Sequence, residues 1–182
     1  MIQIGELSDY DEGLTFMLSI DGTHCPIEEP RPFLTENSSH KMGGAPAANY
    51  ELGLLIHQPK LVWLHGPTRP GKHHDITVFR KKLKEEMEQQ VPGRKAVGDR
   101  GYRGEPELIS TRNEFDPEDL AEFKDRVLAR HETFNAKVKV FKSMSTPWRH
   151  AGIPHRHGFR AVCLVVCVQL KTGGASLFDP YL

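Results

Sequence analysis

The chain has 182 residues, 38% hydrophobic and 26% charged, a composition typical of a globular protein with one core. No stretch approaches the roughly 18 apolar residues of a membrane span, and the first residues lack the basic-then-apolar order of a signal peptide, so we expect neither. The three cysteines, an odd number, argue against a disulfide framework and fit a reducing compartment.

Charge is segregated along the chain, although the formal net charge is zero. Residues 1–30 contain seven acidic residues and no Lys or Arg, whereas residues 124–160 contain nine basic residues and two acidic ones. A basic segment of this kind suits a polyanion such as DNA. A solvated helix face would give the same pattern, so charge alone leaves both interpretations open.

Three strands are predicted in the first half of the chain. The first, residues 14–20, is a compact apolar run that ends at Asp21. Two more apolar runs follow at about 48–57 and 60–66. The intervening residues 22–48 are rich in Pro, Gly, Ser and Asn, which predicts a long loop.

Helices and one further strand are predicted in the second half. A helix begins at Asp75, whose side chain would cap the free amides, and ends before Pro92-Gly93. The run KAVGD then predicts a short strand that ends at Asp99. Strands that alternate with helices after an initial meander predict an α/β fold, a mixed sheet covered by helices.

A long amphipathic helix follows, with Asp116 as its N-cap and Pro117 at its first position. At roughly 100° per residue, its large apolar side chains share one core face. These residues are Leu120, Phe123, Val127, Phe134, Val138 and Phe141. Glu132 lies about 140° from that face. A final helix is predicted at about 157–171.

Three carboxylates stand out by position: Asp21 and Asp99 at strand ends, and Glu132 on the long helix. If the first and fourth strands are neighbours, the two aspartates lie side by side at one sheet edge, where ligands bind in such sheets. Clustered carboxylates repel one another unless cations lie between them, and oxygen ligands suit Mg²⁺ or Mn²⁺. Two such ions promote phosphodiester displacement. Turn aspartates and a solvated glutamate are the alternative.

Four motifs occur in a fixed order along the chain: IDGTHCPI, GPTRPGKHHDITVFR, GDRGYRGEPELI and RHETFNAKVKVF. Together they resemble the DDE-superfamily endonuclease domain of PIF/Harbinger-type transposases. The resemblance covers residues 14–182 and leaves residues 1–13 as an N-terminal extension. It implies an RNase H-like fold, with a five-stranded mixed sheet flanked by helices. It also implies DNA cleavage and strand transfer that depend on two Mg²⁺ or Mn²⁺ ions.

The resemblance assigns roles to individual acids. Asp21 matches the first acid of the family, Asp99 the second and Glu132 the third. Asp75 also lies in a family motif and is the alternative second acid. Because Asp75 is explained as a helix cap whereas Asp99 ends a strand, we expect Asp99 to be the direct metal ligand.

Five basic residues are candidate contacts to DNA phosphates: Arg130, Lys137, Lys139, Arg100 and Arg103. Such contacts would make binding weaken with salt. The resemblance further implies DNA as partner, an accessory DNA-binding protein, a homo-oligomer, and a nuclear location in a eukaryote or a cytoplasmic one otherwise. Because the sequence has no apolar span, we expect no membrane association. The alternative is a catalytically silent, domesticated domain that binds DNA or a protein. The retention of all three acids argues against this alternative.

Overall fold

The computed structural model describes residues 15–28, 35–58, 60–149 and 152–172. Residues 1–13, predicted as an N-terminal extension, and residues 173–182 of the predicted catalytic domain lie outside this description. Within it, no helix is long and apolar enough to cross a membrane.

One mixed sheet of five strands forms the centre of the structure, in the order β3-β2-β1-β4-β5. The strands are β1 (Phe16–Pro26), β2 (Ala47–Leu55), β3 (Leu61–Thr68), β4 (Lys95–Gly98) and β5 (Ile109–Thr111). β1 pairs antiparallel with β2 and parallel with β4, β3 is antiparallel to β2, and β5 is parallel to β4. The predicted α/β fold with a five-stranded mixed sheet is thus confirmed.

Helices cover both faces of this sheet. They are α1 (Asp75–Lys81), α2 (Leu83–Gln90), α3 (Glu118–Val140), α4 (Lys142–Ser145) and α5 (Gly152–Thr172). On one face, Phe79 of α1 and Leu83 of α2 pack in a core cluster with Leu18 and Trp63 of the sheet. On the other face, α3, α4 and α5 pack over alternate residues of β2.

β1 is longer than predicted, which changes the place of Asp21. The strand continues to Pro26 because every residue from Leu18 onwards pairs with β2. Asp21 therefore lies within the strand, and the prediction that it ends the strand is wrong, as is the predicted loop for residues 22–26. The parallel pairing with β4, however, stops at Ile20 opposite Gly98. Asp21 thus comes directly after the last parallel pair.

Both predicted N-caps, Asp75 and Asp116, are wrong. Asp75 is the first residue of α1, and the N-cap position belongs to His74, which makes no capping bond with its side chain. α3 begins at Glu118 with Pro117 in the N-cap position. The carboxylate of Asp116 instead accepts a hydrogen bond of 2.9 Å from the buried Nζ of Lys124.

Candidate active site

Asp21 lies in β1, and Asp99 directly follows the neighbouring strand β4. The residues immediately before them, Ile20 and Gly98, are partners in the parallel pair of β1 and β4, so each aspartate directly follows that pair. Backbone amides hold one oxygen of each carboxylate. The Gly22 amide donates to Asp21 Oδ1 at 2.7 Å, and the Gly101 amide donates to Asp99 Oδ1 at 2.8 Å. The two acids are therefore adjacent and oriented.

Asp75 is a third carboxylate at the same place. A Cβ atom on Gly22 would lie 2.7 Å from Asp75 Oδ1. A Cβ atom on Gly101 would lie 3.1 Å from Asp75 Oδ2 and 3.0 Å from Asp99 Oδ1. Asp75 therefore fits between β1 and the turn after β4 because both neighbours are glycines. Its interpretation as a mere helix cap is wrong.

Like charges and burial act together on Asp21. Its pKa is raised to about 6, mainly because burial disfavours the charged form, and further because Asp99 and Asp75 carry the same charge. The ammonium of Lys41 partly offsets this rise. The three carboxylates are thus close enough to influence one another, and we call Asp21, Asp75 and Asp99 the acid cluster.

Lys41 provides a positive charge within the acid cluster. Its Nζ lies 3.6 Å from Asp75 Oδ2 and 4.0 Å from Asp21 Oδ1, and it donates a hydrogen bond of 3.1 Å to the Gly22 carbonyl. The residue belongs to a 3-10 turn, His40–Met42, within the segment predicted as a loop. No local sequence pattern identified it as a site residue.

Two asparagine side chains complete the surroundings of the acids. Asn135 of α3 donates a hydrogen bond of 2.8 Å from Nδ2 to Asp21 Oδ2. Asn49 of β2 places its Oδ1 atom 3.3 Å from the position of a Cβ on Gly22. Both residues are at least nine-tenths buried, and the Oδ1 atom of each has no hydrogen-bond partner. Unsatisfied buried oxygens of this kind favour a further donor or a cation.

Glu132, the predicted third acid, has an exposed side chain on α3. It lies three residues before Asn135, about 60° from it around the helix. Among the residues of α3, it is Asn135 that hydrogen-bonds to Asp21. In the sequence, the one indication of this role is that Asn135 directly follows Phe134, which belongs to the predicted core face.

The five predicted DNA contacts differ in exposure. Arg100, Arg103, Lys137 and Lys139 are exposed, whereas the guanidinium nitrogens of Arg130 are buried and do not face the solvent. Arg100 and Arg103 belong to the turn directly after Asp99. Lys139 is close enough to His24 of β1 to help lower its pKa to about 4, after burial and Lys41.

A buried glutamate lies behind the acid cluster. Glu51 of β2 is opposite Gly22 and accepts a hydrogen bond of 2.9 Å from Trp63 Nε1. Its pKa is raised to about 8, mainly by burial and also by the charge of Asp75. Glu51 is therefore largely protonated at neutral pH, and sequence reasoning did not identify it.

The donor atoms of the site suit a hard divalent cation. Three carboxylates and two unsatisfied amide oxygens are the ligand types that Mg²⁺ and Mn²⁺ prefer. Among the described residues, however, no three His, Cys, Asp or Glu side chains are already arranged to hold a metal ion. The ammonium of Lys41 instead lies within 4.0 Å of Asp21 and Asp75. The oxygen atoms of the site are therefore of the kind that bind a metal ion, whereas in this structure two of the carboxylates contact the ammonium of Lys41.

Comparisons of the chain with protein-family models, with curated proteins and with solved structures found no match. The interpretation of the site therefore depends on its own residues and geometry.

Proposed function

We propose that the chain is the catalytic domain of a metal-dependent DNA endonuclease of transposase type, with an RNase H-like fold. The observation that carries this proposal is the adjacency of Asp21 and Asp99 after the last pair of two parallel strands. Ligand sites of α/β sheets lie at the carboxyl ends of parallel strands, and these acids directly follow the last parallel pair of β1 and β4. The order β3-β2-β1-β4-β5, with β1, β4 and β5 parallel, is compatible with the proposed fold.

Mg²⁺ or Mn²⁺ is the proposed cofactor, held by Asp21, Asp99 and a third acid. When bound, the divalent ions would activate water and stabilise the leaving oxygen of a phosphodiester. The chain itself contributes orientation, since Asn135 holds Asp21 Oδ2 and a backbone amide holds Asp99 Oδ1. The resemblance supports Glu132 as the third acid, whereas the geometry supports Asp75, and mutagenesis can distinguish the two.

DNA is the proposed substrate because exposed basic residues lie around the acids. Arg100 and Arg103 follow Asp99 directly, and Lys139 lies near His24 on the strand that carries Asp21. These side chains would neutralise phosphates on both sides of the cleavage point, so DNA binding should weaken with salt. The same proposal includes strand transfer by a DNA 3′-hydroxyl. It also includes an accessory DNA-binding protein and a nuclear location in a eukaryote.

Nicking of supercoiled plasmid in Mn²⁺ tests the proposal directly. We expect the wild type to nick DNA and the variants Asp21→Asn and Asp99→Asn to lose at least about 100-fold in rate, because each removes a charged ligand. Glu107→Gln, which changes an exposed acid outside the acid cluster, serves as the matched control. Equal rates for the wild type and Asp21→Asn would contradict the mechanism.

The same assay identifies the third acid. Asp75→Asn should abolish nicking if Asp75 completes the site, and Glu132→Gln should do so if α3 supplies the ligand. Both substitutions are close in shape to the native side chain, so circular dichroism of each variant should match the wild type. A loss in only one of the two variants assigns the role.

One observation favours a second function, that of a catalytically silent domain which binds DNA or a protein. The ammonium of Lys41 lies 3.6 Å from Asp75 and 4.0 Å from Asp21, so the acid cluster holds a lysine in the place where a nuclease needs a metal. In that case the wild type would bind labelled DNA, measured by fluorescence anisotropy, without nicking it in Mn²⁺.

A further inference from the structure

We propose that Lys41 is an exchangeable counter-ion of the acid cluster, which a divalent cation displaces when it binds. This inference rests on the proposed function, since it concerns the same site. It assigns a role to a residue that the sequence motifs do not include. The argument uses the contacts of Lys41, the attachment of its turn to β1 and the unsatisfied oxygens around it.

The contacts of Lys41 are those of a cation in an oxygen-lined site. Its Nζ faces one oxygen each from Asp21, Asp75 and the Gly22 backbone, at 4.0, 3.6 and 3.1 Å. Only the shortest of these distances is that of a normal N–H···O hydrogen bond. The carboxylates therefore attract the ammonium without enclosing it at bonding distance, and Asp99 adds to this attraction from further away.

The turn that carries Lys41 is attached to β1, whereas its side chain is partly open to solvent. His24 shares a hydrogen bond with the hydroxyl of Ser39, which directly precedes the turn, and Ser39 is fully buried. The side chain of Lys41 is 47% exposed. Because the backbone is fixed and the side chain is not enclosed, the ammonium can leave the acids by rotation into solvent while the site keeps its shape.

Two buried oxygens indicate that the site is built for more than this lysine. The Oδ1 atoms of Asn49 and Asn135 have no hydrogen-bond partner, and the two side chains are 1% and 8% exposed. Asn49 Oδ1 and Asp75 Oδ1 both lie within 3.3 Å of one point above Gly22. Two hydrogen-bond acceptors thus lie side by side, an arrangement that a cation stabilises. Lys41 does not satisfy it, because Asn49 Oδ1 still has no hydrogen-bond partner.

Charge makes the lysine and a divalent ion mutually exclusive. Three carboxylates with one ammonium leave a net negative cluster, which attracts a divalent ion. An ammonium about 4 Å from such an ion would be repelled strongly in a half-buried site. The free energy of ion binding therefore includes the cost of moving Lys41 away from the acids. A variant without the lysine charge should not have this cost.

Calorimetric titration of MnCl₂ into the full chain tests this inference. We expect Lys41→Gln to bind Mn²⁺ about tenfold more tightly than the wild type, since the competing charge is gone. Lys41→Arg keeps a cation and should bind like the wild type, and so should the control Lys142→Gln, which changes an exposed lysine. Equal or weaker binding by Lys41→Gln would overturn the inference.

A second measurement on the unaltered chain avoids the variant altogether. With ¹³C-labelled lysine, saturating MgCl₂ should shift the Cε signal of Lys41 and leave that of Lys142 unchanged. No shift of Lys41 at saturation would overturn the inference even if Lys41→Gln fails to fold.

The double variant Asp21→Asn/Asp99→Asn separates the two proposals. If it binds Mn²⁺ as well as the wild type, the metal site and the proposed function fail together with the inference. If its binding is lost while Lys41→Gln binds like the wild type, only the counter-ion role of Lys41 fails.

Discussion

Replacement of Glu51 by Gln tests how the protonation of this buried side chain affects the stability of the fold. The side chain of Glu51 is 1% exposed, and its pKa is raised from an ordinary 4.5 to about 8, chiefly by burial. Gln has nearly the same shape and keeps an acceptor for the indole N–H of Trp63, which donates to Glu51 at 2.9 Å. The substitution therefore removes the titration and retains the packing.

The magnitude follows from the linkage between protonation and folding. An acid with a higher pKa in the folded chain contributes stability that is complete below its unfolded pKa and is lost as the pH rises through its folded pKa. For Glu51 that window runs from pH 4.5 to about 8. At 1.36 kcal/mol per pKa unit, we expect the stability of Glu51→Gln relative to the wild type to rise by about 3 to 4 kcal/mol between pH 5 and pH 8.

Urea unfolding followed by tryptophan fluorescence measures this difference at each pH. The pKa values of His24 and His131 are lowered to about 4 and about 3 by burial, so both histidines change the stability below pH 7. They are present in both proteins, and their effect cancels in the comparison. A difference between wild type and Glu51→Gln that stays constant from pH 5 to pH 8 would refute the reasoning.

Three further predictions concern the core, a glycine and the thiols. Phe159 is fully buried and stacks on Tyr50 at 3.9 Å, so Phe159→Ala should lower the free energy of unfolding by about 3–5 kcal/mol in urea, whereas Phe115→Ala, at an 83% exposed side chain, should change it little. Gly22→Ala would place Cβ 2.7 Å from Asp75 Oδ1, and calorimetry should show Mn²⁺ affinity reduced by about 10–100-fold; unchanged affinity would contradict the site geometry. All three cysteines are buried and have raised pKa values, so a thiol reagent should label the denatured chain but not the native one. Rapid labelling of the native chain would disprove their burial.

The sheet could be predicted to the extent that its strands are long and apolar. β1, β2 and β3 produced clear apolar runs, and the alternation with helices indicated that the fourth strand joins the same sheet. β5 has only three residues, of which Ile109 alone is buried, so no periodic pattern marked it. The boundary of β1 was missed because its second half contains Gly22, Thr23 and His24, which form no apolar run. Pairing with β2 rather than hydrophobicity keeps this half extended.

The two aspartates of the site could be predicted, whereas their surroundings could not. Asp21 and Asp99 were recognised because each follows an apolar run, which is a local pattern. Asn135 reaches Asp21 across 114 residues of sequence, and Lys41 reaches the Gly22 carbonyl across 19. Such contacts depend on how α3 and the 3-10 turn pack on the sheet, and no local rule contains that information. Local capping rules also assigned Asp116 wrongly as an N-cap, whereas its carboxylate accepts a hydrogen bond from the buried Lys124.

The energetics of Asp21 argue for function over stability. Its carboxylate is raised in pKa to about 6 by burial and by two neighbouring acids, so the folded chain is less stable with this group charged than with a neutral one. An asparagine at the same position would keep an acceptor for the Gly22 amide and avoid the repulsion. A chain selected only for stability would gain by losing at least one of these three acids. Their concentration beside parallel strand ends, around an ammonium that can leave, is best explained by a positively charged ligand that repays the repulsion when it binds.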